Sequence, residues 1–151
     1  MMAALAERNQ APIKVDLVQL GAGVWCEDTP AAGFLSTQGI VEVNGKQDRF
    51  DQLIGQGWII IGYNADPAAA LNEEQLAALH YMEGKTVTIG SPGSVCDAQD
   101  IEGTYAKWMT DIGASYCILR PDFYVAATAR SANDLSRRFT EVMGKLPRRV
   151  N

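Results

Sequence analysis

The stretch that decides the fold is Gly57–Tyr63, with the sequence GWIIIGY. A continuous apolar and β-branched run of this kind is typical of a strand covered on both faces of a sheet. The later stretch Leu71–Leu76, LNEEQL, predicts the start of a helix, because Asn72 can act as N-cap and Gln75 can reach back to complete a capping box. We therefore expect a buried central strand followed by a helix that packs on the sheet.

Downstream of this strand, the pattern alternates between helices and strands. Lys85–Gly90 alternates apolar and polar residues, which predicts a strand with one wetter face, nearer an edge of the sheet. Ile101–Ile112 carries apolar residues at the spacing of one helical face. Ser115–Leu119 and Tyr124–Ala129 predict a hairpin, and Ser131 caps a last helix. The order strand, helix, strand, helix, strand, strand, helix is that of an α/β, thioredoxin-like fold, a mixed sheet with helices on both faces.

The first third of the chain gives a weaker pattern. It predicts four elements: a helical start at Met2–Arg8, a strand at Lys14–Leu20, a strand at Gly39–Val43 and a short helix at Asp48–Ile54. We expect the chain to be organised as an irregular N-terminal extension that packs on the domain (residues 1–36), a thioredoxin-like domain (37–146) and a basic tail (147–151).

Composition and charge exclude several classes of protein. The chain has 151 residues, of which 47% are hydrophobic and 21% charged, as expected of one globular domain. Its net charge of −5 has the wrong sign for a protein that binds nucleic acid by neutralising phosphates. The sequence contains no apolar run of about 18 residues and no apolar signal-peptide core near its start, which argues against a membrane span or secretion. We therefore expect a cytoplasmic protein that binds neither nucleic acid nor a membrane.

The three cysteines give no strong sign of thiol chemistry. A redox-active thioredoxin carries a cysteine pair just after its central strand, where a helix N-terminus lowers a thiol pKa, but Asn64–Ala68 contains none. Cys117 lies inside the predicted strand Ser115–Leu119 and is expected in the core. Cys26 and Cys96 lie in predicted loops, where a thiol can be exposed. His80, the only histidine, lies in a predicted helix, so a Cys-His or Ser-His-Asp centre would depend on it entirely.

One glycine-containing segment imitates a dinucleotide site. Gly21–Gly23 follows an apolar stretch, as the first two glycines of a dinucleotide fingerprint would. The third glycine position is Cys26, and Glu27–Pro30 would place carboxylates beside the phosphate. We interpret the segment as an ordinary turn and expect no cofactor on it.

A small acidic cluster precedes the second predicted helix. Asp97, Asp100 and Glu102 could hold a hard cation, but the same spacing suits the cap and first turn of that helix. We therefore expect helix capping and no metal site.

The hairpin turn carries the candidate partner contacts. In Arg120-Pro121-Asp122-Phe123, the proline presets the first corner of a type I turn and the aspartate suits the second. Phe123 and Tyr124 form an aromatic pair at the tip that its own strands cannot easily bury. We expect Arg120, Asp122, Phe123 and Tyr124 to contact a partner, with packing onto the last helix as the alternative.

Several of these stretches resemble one family. Thr37–Gly39 (TQG), Phe50–Gly55 (FDQLIG), Gly57–Gly62 and especially Ile118–Ala126 (ILRPDFYVA) are similar to the C-terminal domain of FAD-dependent aromatic-ring hydroxylases, the phenol hydroxylase and 3-(3-hydroxyphenyl)propionate hydroxylase type. The resemblance extends roughly over residues 17–143. The sequence departs from the family at Phe123, where the family usually has glycine.

The resemblance implies that this chain itself catalyses no reaction. The family's C-terminal domain is thioredoxin-like, lacks redox cysteines, helps to form the dimer and packs on the flavin-binding catalytic part. The implied function is a non-catalytic dimerisation or accessory domain of an FAD- and NAD(P)H-dependent monooxygenase of phenolic substrates, with a second copy or a flavoprotein catalytic domain as partner. The chain itself is expected to bind neither cofactor. Two alternatives stay open: a small thiol oxidoreductase that uses Cys26 or Cys96, and a free-standing protein-binding module.

Overall fold

The computed structural model describes residues 25–26 and 28–146. The strands within this part are β1 (Ile40–Val43), β2 (Lys46–Arg49), β3 (Ile59–Tyr63), β4 (Lys85–Gly90), β5 (Ala98–Asp100), β6 (Tyr116–Leu119) and β7 (Val125–Ala129). The helices are α1 (Phe50–Leu53), α2 (Pro67–Ala70), α3 (Glu73–Tyr81), α4 (Thr104–Ile112) and α5 (Ala132–Lys145). The strands form one mixed sheet in the order β2-β1-β5-β4-β3-β6-β7.

Strand β3 lies inside the sheet and is buried on both faces. It runs parallel to β4 and antiparallel to β6. Ile60 packs with Leu79 of α3 and Phe139 of α5 on one face, while Ile59 and Ile61 belong to the cluster on the other face. That second cluster takes its helical members from α1 and α4. The prediction of a mixed α/β sheet with helices on both faces is confirmed.

The helix ends follow the predicted chemistry. Asn72 Oδ1 accepts the Gln75 N–H at 2.7 Å and Gln75 Oε1 accepts the Asn72 N–H at 3.0 Å, which completes the capping box. Ser131 Oγ accepts the Asp134 N–H at 3.2 Å at the start of α5. These side chains satisfy backbone donors that have no partner within the helix.

The predicted position of β4 near an edge is wrong. The strand pairs with β3 along its length and with β5 at Ile89 and Gly90. Its polar residues Thr86 and Thr88 line an open groove. The polar alternation that indicated an edge reflects this groove.

The predicted helix over Asp48–Ile54 is wrong in its first two residues. They end strand β2, which pairs with β1 as an antiparallel hairpin, and the helix begins at Phe50. Asn44 and Gly45 form the turn with φ angles of 53° and 81°, as an Asn-Gly type I′ turn requires. Strand β5 and helix α2 were not predicted. The elements predicted at Met2–Arg8 and Lys14–Leu20, the Gly21–Gly23 turn and the tail over 147–151 lie outside the described residues.

Candidate partner-contact surface

Residues 25–26 and 28–36, which precede β1, run along the outer edge of the sheet, and we call them the strap. The Cys26 N–H donates to Ala126 O at 2.7 Å, and the Val125 N–H donates to Phe34 O at 2.8 Å. Because these bonds use backbone groups of β7 that face away from β6, the strap covers that edge of the sheet.

The turn between β6 and β7 has the predicted position. The Phe123 N–H donates to Arg120 O at 2.9 Å, and Asp122 Oδ1 accepts the Tyr124 N–H at 3.2 Å. Phe123 has a φ of 66°, in the left-handed region that favours glycine. This backbone conformation explains why glycine suits the position that Phe123 occupies.

The structure corrects the expected exposure of the four candidate residues. Tyr124 is 2% exposed and Arg120 is 4% exposed, so the idea of an uncovered aromatic pair is wrong for Tyr124. The strap covers the turn: Leu35 forms a bridge with Tyr124, and the Ser36 N–H donates to Phe123 O at 2.8 Å. Asp122 and Phe123 remain partly exposed. That these residues contact a partner stays a prediction.

Arg120 fastens the strap to the turn. Its Nη2 lies 3.2 Å from Asp122 Oδ2, and its guanidinium carbon lies 5.6 Å from the centre of the Trp25 ring. A guanidinium over an indole face is stabilised by the negative potential of the ring, more so when water is excluded. The arginine of the RPD motif therefore holds the fold together at this point.

Arg138 of α5 also binds the strap, at Asp28. Its Nη1 donates to Asp28 Oδ1 and to Glu141 Oε1, each at 3.0 Å. The hydrogen bond from Arg138 lowers the pKa of Asp28. The sequence gives no signal for this pair, because its members are 110 residues apart.

Two of the three cysteines, Cys26 and Cys117, are buried and have raised pKa values, which disfavours thiol chemistry. Cys26 is 1% exposed, so it is not the accessible loop thiol that its sequence position allowed. Burial, together with the neighbouring carboxylate of Glu141, raises the pKa of Cys26 to about 11. Burial also raises the pKa of Cys117 in β6. Cys96 is partly exposed and lies 3.5 Å from the Ser94 hydroxyl.

We expect Cys96 to be the cysteine that iodoacetamide labels in the folded chain at pH 8. Cys26 and Cys117 are protonated and covered, whereas alkylation requires an accessible thiolate. Peptide mass spectrometry after a timed quench measures the three sites, and labelling in denaturant is the control in which all three react. Rapid labelling of Cys26 at or below pH 7 would contradict the structure and favour the thiol oxidoreductase.

The same burial predicts a loss of stability in alkali. Above about pH 9 the unfolded thiols release protons, while Cys26 keeps its proton in the folded chain until about pH 11. Since the folded state then binds more protons, the free energy of unfolding falls as the pH rises through this range. Urea unfolding at several pH values measures the slope, and Cys26→Ala should reduce it. An unchanged slope in that variant would contradict the prediction.

An open groove of about 770 Å³ lies at the carboxyl ends of β3 and β4. It is lined by residues of the loop after β3, by Thr86 and Thr88, and by the loop that contains Cys96. The segment Asn64–Ala68, which contains no cysteine, borders the groove. Within residues 25–26 and 28–146, no group of His, Cys, Asp or Glu side chains is arranged to hold a metal ion.

The carboxylates of Asp97 and Asp100 in the acidic cluster accept hydrogen bonds from backbone N–H groups. Asp100 Oδ2 accepts the Ala106 N–H in the first turn of α4 at 2.9 Å, and Asp97 Oδ2 accepts the Thr88 N–H at 2.8 Å. Helix α4 begins at Thr104, three residues later than predicted, and Gly103 occupies its N-cap, so the prediction of an acidic residue at the cap is wrong. His80 lies exposed on α3. None of the helices in the described part is long and apolar enough to cross a membrane.

We expect Phe123→Gly to be more stable than Phe123→Ala by about 1 kcal/mol. Both variants lose the half-buried ring, but only glycine relieves the backbone strain at a φ of 66°. Urea unfolding of the two variants and the parent chain measures the difference. Equal stabilities would mean that Phe123 does not adopt the left-handed conformation in solution.

Similarity to known proteins extends over most of the chain. The model of the HcaD C-terminal domain matches residues 33–143. A probable NADH-specific resorcinol 4-hydroxylase of Rhodococcus jostii (strain RHA1) is 28% identical over 137 residues, which are 89% of this chain and 25% of that protein. A 3-(3-hydroxy-phenyl)propionate/3-hydroxycinnamic acid hydroxylase of Burkholderia cenocepacia (strain HI2424) is 29% identical over 117 residues, 68% of this chain and 21% of that protein. The chain thus spans a quarter or less of the length of these curated relatives.

Two solved structures share the fold. The flavin-dependent monooxygenase PieE, in complex with FAD and substrate, aligns with a TM-score of 0.60 at 19% identity over 84% of this chain and 25% of its own. Aklavinone-11 hydroxylase, in a ternary complex with FAD and aklavinone, aligns with a TM-score of 0.55 at 21% identity over 75% of this chain and 20% of its own. The resemblance inferred from the sequence is confirmed. The chain belongs to the HcaD C-terminal domain family, and its relatives in sequence include aromatic hydroxylases.

Proposed function

We propose that this chain is a non-catalytic, thioredoxin-like accessory or dimerisation domain of an FAD- and NAD(P)H-dependent aromatic hydroxylase that acts on a phenolic substrate. The observation that carries the proposal is the extent of the match: most of this chain aligns with a quarter or less of each hydroxylase. Flavin and nicotinamide chemistry would then belong to the catalytic part, and this chain would bind neither cofactor.

The placement of the thiols supports a role without redox chemistry. The segment Asn64–Ala68 has no cysteine, and Cys26 and Cys117 are buried with raised pKa values. A catalytic thiol needs a lowered pKa and access to its substrate. The three cysteines are free, which fits a reducing compartment, and we propose that the protein acts in the cytoplasm.

The partner in this proposal is a flavoprotein catalytic domain, a second copy of the chain, or both. The described surface carries exposed large apolar side chains at Phe34 and Leu35, which suit contact with another protein better than contact with water. The net charge of −5 argues against nucleic acid.

The test is purification of the protein from cells that naturally produce it, followed by size-exclusion chromatography with detection of flavin absorbance. We expect the chain to elute with FAD, either in one polypeptide or in a complex, in a fraction that oxidises NAD(P)H when a phenol is added. The recombinant 151-residue chain alone should be colourless and inactive. Elution of the native protein without flavin would contradict the proposal, as would stoichiometric FAD on the recombinant chain.

A further inference from the structure

The turn between β1 and β2 places an amide side chain directly before a glycine. It consists of Asn44 and Gly45, and both residues are exposed. Val43 pairs with Lys46 across the turn, which closes the hairpin over a two-residue loop. An amide carbon and the backbone nitrogen that follows it therefore lie together at the tip of an exposed hairpin.

The Gly45 nitrogen is open to attack on the Asn44 side chain. Gly45 has no Cβ atom, and apart from its chain neighbours no heavy atom lies within 4 Å of the position that a Cβ would occupy. Within residues 25–26 and 28–146, neither the Gly45 N–H nor the Asn44 side chain has a hydrogen-bond partner. Both reacting groups are thus unhindered and unbonded.

The other asparagines of the described part lack this combination. Asn64, Asn72 and Asn133 are each followed by a residue with a Cβ atom, which crowds the approach to the next nitrogen. In addition, Asn72 Oδ1 accepts the Gln75 N–H, and the nitrogen that follows Asn133 donates to Ser131 Oγ. Asparagine 44 is therefore the one best placed to react with its neighbour.

The position of the turn at the sheet edge lets it open locally. Every residue of β2 is exposed, and β2 pairs with β1 alone in the described sheet. A segment with few buried contacts opens at a much smaller cost in free energy than the whole domain. Local opening allows the Asn44 side chain to turn until its carbonyl carbon meets the Gly45 nitrogen.

We propose that Asn44 is a site of spontaneous deamidation, and that one of its products releases β2 from the sheet. The Gly45 nitrogen loses its proton and forms a bond with Asn44 Cγ, while the bond between Cγ and Nδ2 breaks and ammonia leaves. Water then opens the cyclic imide, so the reaction consumes only water and needs no oxidant or reductant. This inference does not depend on the proposed function.

The imide opens at either of its two carbonyl carbons. Opening at Cγ leaves aspartate at position 44, and an Asp-Gly turn suits this hairpin as well as Asn-Gly does. Opening at the main-chain carbonyl leaves isoaspartate, in which the backbone runs through Cβ and Cγ and gains one atom. Because loop length fixes the register of a hairpin, the extra atom breaks the pairing of Val43 with Lys46. Strand β2 has no second neighbour that could retain it.

The first test is incubation of the full 151-residue chain at pH 8, followed by digestion with pepsin in acid and peptide mass spectrometry. Electron-transfer fragmentation distinguishes isoaspartate from aspartate. We expect the peptide with Asn44 to gain the mass difference between a hydroxyl and an amino group before the peptides with Asn64, Asn72 and Asn133 do. A chain kept in urea is the control without folded structure. Earlier conversion of another of these asparagines, or conversion of Asn44 in urea alone, would overturn the proposal.

Trypsin measures the release of β2. Lys46 begins β2 and Lys107 lies in α4, and both are exposed. After incubation has converted Asn44, we expect brief digestion to cut the chain faster at Lys46 than before incubation, with no change at Lys107. Asn44→Gly lacks the reacting amide and suits the left-handed turn, so its cleavage should not change on incubation.

Fresh Asn44→Asp separates the charge of the product from the altered backbone. It carries the new carboxylate on a normal chain, and we expect it to be cut at Lys46 like the fresh parent. Unchanged cleavage at Lys46 in a chain that contains isoaspartate would overturn the release of β2. Equally fast cleavage of fresh Asn44→Asp would assign the effect to charge and would overturn the release as well.

Discussion

A Gly62→Ala chain is expected to lose about 3 kcal/mol or more of its free energy of unfolding. A Cβ atom at this position of β3 would overlap the carbonyl oxygen of Ala65 and would lie 3.0 Å from Pro67 Cδ. Backbone cannot rotate away as a side chain can, so either the buried strand or the loop after it has to move. Urea unfolding followed by circular dichroism measures the loss.

Gly144→Ala is the matched control for this substitution. Gly144 lies in α5 with open space around the added Cβ atom, so alanine should raise the free energy of unfolding by about 0.5–1 kcal/mol. Opposite signs for the two glycines would support the close approach of β3 and its loop. If Gly62→Ala were as stable as the parent chain, that approach would not exist in the folded protein.

The second large effect is expected for Arg120→Met, which should cost about 3 kcal/mol. The variant removes the ion pair with Asp122 and the stacking on Trp25. The Asp122 carboxylate, whose side chain is only 23% exposed, then loses this cation. Methionine retains much of the apolar stem, so the loss comes mainly from the guanidinium. Denaturant unfolding of the parent and the variant measures it.

Lys107→Met provides the comparison. Lys107 Nζ lies 2.8 Å from Asp111 Oδ2, closer than the 3.2 Å of the Arg120–Asp122 pair, but the two side chains are 79% and 58% exposed. Because water screens an exposed pair, its removal should cost less than about 0.5 kcal/mol. Equal losses in the two variants would contradict the burial of Arg120 in solution.

Local patterns predicted the parts of the fold that depend on neighbours in sequence. The apolar run of β3, the capping box at Asn72 and the proline turn at Arg120–Phe123 are determined by residues within a few positions of one another. The Asn44-Gly45 dipeptide favours a hairpin turn, but the polar residues of Asp48–Ile54 suit a helix as well as an edge strand, so local pattern does not distinguish the two. Three-residue β5 is too short for any periodicity to show.

The candidate contact surface depends on distant pairs, so only part of it could be predicted. The motif identified Phe123 and Tyr124, but the burial of Tyr124 comes from Leu35, 89 positions earlier in the chain. Phe34 and Leu35 gave no signal, since two apolar residues in a loop are equally consistent with core and surface. Their exposure follows from the way the strap pairs with β7, which single-sequence periodicity does not encode.

The two edges of the sheet have a consequence for how this domain assembles. At one edge, β2 has the sequence KQDR with every residue exposed, and charged side chains on an open edge disfavour the addition of another strand. At the other edge, the strap already occupies backbone groups of β7. Addition of a strand from another molecule is therefore disfavoured at β2 and at β7. Partners are therefore expected to bind this domain through side-chain surfaces and not by extending its sheet.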